Sequence, residues 1–268
     1  MATVPGLKVS RIGAWSMRAG LLEPSKWADV AAGLGLSDVS IAVQAQSFGQ
    51  PFETLASTAK IAAACRAYMA QGVTPHVMLW PRPELQHGRD LAAFVVELLD
   101  AFHELGSVDL DAEEQWTRSG TLTKHGAATA ELIREPWPKG LPLAVNGITA
   151  ALPRILDLVA VADVLWPQAY TSSKPSQSSA PGDRQIKVHA IWAKHLRPGQ
   201  ALNMGLAAYS QEGAGGLHAD EAMRRAFYAA ATRVGAIRYW SLQELAAGKD
   251  ADFVRARCAE IRKARGVA

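Results

Sequence analysis

Along this chain, short apolar runs alternate with longer segments in which apolar residues recur at helical spacing. The short runs predict strands at Val9–Met17, Asp38–Gln46, His76–Pro81, Ser107–Glu114, Leu143–Ile148, Val164–Tyr170, Ala201–Tyr209 and Ala236–Ser241. The longer segments predict helices at Pro24–Leu34, Thr54–Gln71, Arg89–Leu105, Lys124–Arg134, Leu152–Val161, Arg184–Leu196, Ala219–Val234 and Ala251–Arg265. Capping residues fit these starts: Ser25 beside Pro24, Thr54, Asp183, and Asp220 with Glu221. Gly72, Gly106, Gly140, Gly235 and Gly266 follow predicted helix ends, where a left-handed cap suits glycine.

The pattern is eight strand–helix units in order within 268 residues. That is close to the roughly 250 residues of a (β/α)8 barrel. The expected fold class is therefore α/β, a TIM barrel built as one domain over residues 1–268. A doubly wound open sheet would need a Gly-rich phosphate turn after the first strand. The chain reads Ala14-Trp15-Ser16-Met17-Arg18-Ala19-Gly20 there instead. The polar Pro/Ser-rich loop Thr171–Gly182 and the Gly-rich loop Gln211–Leu217 both follow strands, which puts them on the face where barrel enzymes build their sites.

Composition narrows the function. A hydrophobic share of 49% supplies a large core, and the net charge of +3 is only mildly basic. The basic residues are scattered, so no nucleic-acid track is expected. The exception is the crowding of Arg255, Arg257, Arg262, Lys263 and Arg265 in the last helix, read as a solvated face or as weak attraction to an anionic polymer such as a cell wall. Cys65 and Cys258 read as buried free thiols without disulfide or metal spacing. No apolar stretch of about 18 residues predicts a membrane span. Met1–Val9 has no charged-then-apolar leader pattern. The expectation is a chain cytoplasmic as synthesised that meets a wall after lysis or non-classical release. Its oligomeric state carries no sequence signal.

The densest chemistry lies in Val108-Asp109-Leu110-Asp111-Ala112-Glu113. Side chains alternate faces along a strand, so Asp109, Asp111 and Glu113 share one face. Ionised carboxylates are costly to bury and repel one another, so such a row in an apolar strand points to use. Adjacent carboxylates split their proton affinities, leaving one protonated and one charged. Glu113, nearest the strand end, is the natural acid, and Asp111 its charged partner. Other strand ends offer Gln44, Trp80, Asn146, Gln168 with Tyr170, Tyr209 and Trp240, and Trp116 follows the acid row. Indoles and phenols around carboxylates suit a sugar, with its apolar C–H faces and hydroxyl edges.

Asp109-x-Asp111-x-Glu113 on the fourth strand resembles the Asp-x-Asp-x-Glu signature of family 18 glycoside hydrolases, the chitinase-like barrels. The resemblance implies Glu113 as general acid and Asp111 as the carboxylate that orients the substrate's N-acetyl group, whose carbonyl oxygen attacks the anomeric carbon. It also implies that Asp109 tunes Asp111, that Gln168 and Tyr170 hold the acetamido group, and that Trp240 forms the floor under the −1 sugar. Trp80 and Trp116 extend that platform. An Asp-x-Glu on a comparable strand is also similar, more distantly, to family 25 lysozymes and phage lysins. The implied substrate is a polysaccharide such as peptidoglycan or a chitin-like polymer, with no cofactor or metal. Three other readings stay open at this stage: an ion-pair layer in the barrel core, a non-catalytic sugar-binding barrel, and a metal-dependent hydrolase using the three acids.

Overall fold

The computed structural model describes residues 6–44, 51–117, 122–170, 180–208, 219–248 and 250–266. Its strands are β1 Arg11–Ser16, β2 Asp38–Ala42, β3 Thr74–Leu79, β4 Val108–Asp111, β5 Leu143–Ile148, β6 Val164–Gln168, β7 Ala201–Leu202, β8 Met204–Ala207 and β9 Ala236–Trp240. All pair in parallel, and β1 and β9 join the two ends of the chain. The pairing of β5 with β6 closes the ring. Short β7 and β8 are two pieces of one barrel strand on either side of Asn203, so the ring is the expected eight-stranded (β/α)8 barrel.

Parity along the strands builds two separate interiors. Ile12, Val39, Ile41, Val77, Leu110, Val145, Leu165, Leu206 and Ile237 point outward and are fully buried beneath the helices. Each such aliphatic side chain contributes about 1.5–3 kcal/mol on burial. The opposite parity fills the barrel, with Trp15, Met78, Trp80, Ala144 and Trp166 forming a small apolar cluster of their own. Space there is tight: a Cβ on Gly205 would sit 2.7 Å from the Trp15 ring, and one on Gly13 would sit 2.3 Å from Asp38.

The helical shell is α1 Arg18–Leu22, α2 Pro24–Leu34, α3 Thr58–Ala70, α4 Leu85–Ala101, α5 Glu114–Thr117, α6 Leu122–Arg134, α7 Leu156–Val161, α8 Asp183–Trp192, α9 Ala219–Ala231, α10 Leu242–Ala247 and α11 Asp250–Ala264. Helix α2 has the expected bounds, with Glu23 rather than Ser25 at its N-cap: Pro24 occupies its first turn, where no N–H is needed, and Gly35 ends it at φ 74°. Helix α3 begins later than expected, with Ser57 rather than Thr54 at its N-cap position. Gly106 serves close packing and not a left-handed cap, because a Cβ there would meet the His76 ring at 2.5 Å. Among the described residues no helix is long and apolar enough to cross a membrane.

Candidate active site

Strand β4 is shorter than the sequence suggests. It ends at Asp111, and Glu114 already opens the short helix α5. Asp109 and Asp111 both point into the barrel, and Glu113 stands half-buried just past the strand's C-terminal end. The two aspartates have opposite surroundings.

Asp109 belongs to a closed polar layer. It accepts hydrogen bonds from Ser40 Oγ at 2.5 Å and Ser107 Oγ at 2.7 Å, and it pairs with the Arg238 guanidinium. Arg238 Nε also donates to Asp38 at 2.7 Å, and His76 Nδ1 lies 2.6 Å from Ser107 Oγ. Burial alone would raise the proton affinity of Asp38, but the Arg238 guanidinium and His76 together hold its carboxyl below the usual range. Burial, reinforced by Arg238, pushes the His76 imidazole down to about 4, so it is neutral at physiological pH. Asp109 is thus an anchored charge beneath Asp111, away from the barrel mouth, and not a carboxylate free to react. The ion-pair layer anticipated as an alternative is present, and Asp109 is its part of the acid row. The arginine beside Asp109 also argues against a metal held by all three acids.

Asp111 has far weaker support. Among the described residues its hydrogen bond of ordinary geometry comes from Gln168 Nε2 at 3.0 Å, and it is fully buried. Burial pushes its carboxyl well above the ordinary carboxylate range, and the neighbouring charge of Glu113 pushes the same way, followed by that of Asp109. The Trp80 side chain and Gln168 act against that rise by favouring the ionised form. Asn146 lies directly across from Asp111 in the β4–β5 register, and neither polar atom of its buried amide finds a partner among the described residues. Buried amides are rarely left unpaired, and this one faces the same end of the barrel as Asp111.

The remaining expected residues divide. Gln44 is buried and accepts the Trp80 backbone N–H at 2.9 Å, so it braces the end of β3. Trp240, at the end of β9, is half-exposed and tilts over Trp15 at 6.3 Å between ring centres. Trp15 meets Trp166 edge-on at 5.8 Å, and Arg238 stacks under Trp166 at 4.4 Å. The floor expected of Trp240 therefore rests on a column of rings with a cation beneath it. Tyr170 is half-buried, its ring against the outer core. Tyr209 lies outside the described residues.

Two platform assignments are corrected. Trp116 is fully buried in the outer core, and its N–H donates to the Arg154 carbonyl at 3.1 Å, because α5 turns the chain away from the barrel. Trp80 is 3% exposed and packs inside the barrel, so neither ring offers a face to a sugar. Arg238, Asp38, Ser40 and His76 escaped the sequence reading. An arginine inside the apolar run Ala236–Ser241, at the inward parity of Trp240, was the available signal for a buried countercharge.

No family model matches the chain, and no curated protein matches it. Solved structures resemble its fold. A Streptomyces coelicolor protein described as chitinase A is 14% identical with a TM-score of 0.64, over 93% of this chain and 98% of its own. The GH18 chitinase ChiB of Flavobacterium johnsoniae is 12% identical with a TM-score of 0.63, over 95% and 96%. A GH5_18 protein from Streptomyces cattleya, in complex with Manβ1-4GlcNAc, is 13% identical with a TM-score of 0.66, over 87% and 71%. At these identities the likeness establishes the barrel, and the neighbours that share it are glycoside hydrolases of more than one family.

Proposed function

We propose that this chain is a glycoside hydrolase that cleaves β-linked N-acetylhexosamine polymers, peptidoglycan or chitin-like, with help from the substrate's own acetamido group. The observation that carries this reading is the Asp111–Glu113 pair at the barrel mouth: one carboxyl fully buried and hungry for a proton, the other half-exposed beside it. The resemblance of the acid motif and the glycoside hydrolase neighbours support it.

In this reading the pair shares one proton before substrate binds. Glu113 gives a proton to the glycosidic oxygen as the C1–O bond breaks. The acetamido carbonyl oxygen bonds to C1 in the same step, and the positive charge spreads onto the acetamido nitrogen. Asp111, ionised at that moment, accepts the N–H and stabilises the cation. Glu113, now charged, takes a proton from the water that opens the cyclic intermediate. Gln168, Tyr170 and Asn146 hold the acetamido group, and Trp240 carries the sugar ring.

Release of reducing ends from purified peptidoglycan and from chitin oligomers tests this, with wild type beside Glu113→Gln. The expected result is release from one polymer, lowered at least about a hundredfold in the variant. Wild-type release by folded Glu113→Gln would overturn the assignment. A protein that binds a polymer without releasing sugar would be a sugar-binding barrel.

A further inference from the structure

The indole of Trp80 is a buried donor that acts on Asp111 without a completed hydrogen bond. Its Nε1–H has no hydrogen-bond partner of ordinary geometry among the described residues, although the side chain is almost wholly enclosed. The pairing of Leu79 with Leu110 puts Trp80 abreast of Asp111 on the neighbouring strand. Side-by-side residues on adjacent strands lie within reach of long side chains. The backbone of Trp80 is fixed by Gln44, and its ring is fixed by the packing of Trp15, Met78 and Trp166. A donor held this firmly stands beside a carboxyl that Gln168 supports from the other side.

We propose that Trp80 is a positioning residue whose indole N–H closes onto Asp111 when that carboxyl loses its proton, forming with Gln168 a pair of donors that holds the carboxylate in the barrel mouth. This deepens the hydrolase reading above and rests on it only for its consequence in catalysis. The other charged groups around Asp111 cannot take this part. Glu113 repels its negative charge, and Asp109 does so from below, muted by Arg238. His76 and Asp38 are engaged in the lower layer, and Asn146 is uncharged. The present influence of Trp80 already favours the ionised form. A completed hydrogen bond to a charged group would change that ionisation equilibrium by roughly tenfold or more.

The test needs no substrate. The Trp80 indole N–H signal is followed by nuclear magnetic resonance through a pH titration, together with the carboxyl carbon of Asp111. In wild type the indole signal should move with the same midpoint as Asp111, and in Asp111→Asn it should stay still. In Trp80→Phe, which keeps the ring and removes the donor, the Asp111 midpoint should rise. An indole signal that ignores Asp111, or an unchanged midpoint in folded Trp80→Phe, would overturn the proposal. If Trp80→Phe does not fold, the wild-type and Asp111→Asn titrations decide alone. If the protein hydrolyses glycans, Trp80→Phe should move the acid limb of kcat/KM upward with KM little changed, whereas a sugar-contacting ring would raise KM. These titrations hold or fail whether or not any glycan is cleaved.

Discussion

Two carboxylates two residues apart on one strand live in opposite worlds. Asp109 sits among an arginine and two serines, and each of its oxygens is matched. Among the described residues Asp111, one step nearer the mouth, has Gln168 and a partial hold from Trp80, an unmatched asparagine across the seam and a second acid beyond it. Burial penalises both charges. The lower layer offsets that cost with pairing, and the upper one leaves it standing. A buried network is tolerable when complete, and an incomplete one is expensive unless the vacancy is used. The contrast separates the part of the acid row that holds the barrel together from the part left open to work.

Breaking the complete layer should have the largest effect on stability. Arg238→Met strands Asp38 and Asp109 as buried, unpaired charges and should cost about 3–5 kcal/mol in urea unfolding. A loss within about half a kcal/mol would mean that the layer is not an integrated unit.

Acid should strain the same layer next. Burial lowers His76 to about 4, and His87 behind Trp80 likewise. The unfolded chain takes up these protons first, near 6.5, so the stability the neutral rings provide is complete above that value. It drains away as pH falls from about 6.5 to about 4, at up to roughly 1.4 kcal/mol per pH unit for each ring. Unfolding midpoints that stay flat across that window would count against it.

The open layer should respond with the opposite sign and least in size. Asp111 holds its proton more tightly when folded, so ionisation at neutral pH weighs against folding, and that cost is absent below the ordinary carboxylate value. Asp111→Asn should therefore stabilise the protein at neutral pH, on the order of 1 kcal/mol, while activity falls. A variant that loses stability at neutral pH would place Asp111 with the structural layer.

The sequence made the barrel readable because outward aliphatics and inward polar or aromatic residues keep strict parity, and Leu143–Ile148 is found within the expected bounds. Helix α4 slipped by a turn for two local reasons. His87 and Gly88 look like loop residues, yet Gly88 lies where a Cβ would meet Thr129 at 2.8 Å, a close helix contact. Phe102 and Leu105 continue the apolar rhythm after the helix has already become extended. Helices α1 and α10 are too short to show a period.

At the site, alternation alone brought Asp111 and Glu113 forward, and strand-end position brought Gln168 and Trp240. The partner of Asp109 was hidden because Arg238 is 129 residues away, and only barrel closure makes them neighbours. Trp116 misled for the converse reason: nearness in sequence to the acids says nothing once a helical turn redirects the side chain.

One seam of the barrel is made in two pieces. Among the described residues β6 is in register with β8 only at Gln168 and Gly205, and with β7 at two positions, whereas it meets β5 at five. The chain passes from β7 to β8 through Asn203 here, and backbone hydrogen bonds from Asn203 N to Leu165 O and from Ala169 N to Gly205 O carry the seam past the break. The seam holds Gln168, the donor to Asp111. Loosening of that seam would admit water to a carboxyl whose grip on its proton comes first from dryness. The acidity of the site is thereby tied to the mechanical tightness of the join that holds Gln168.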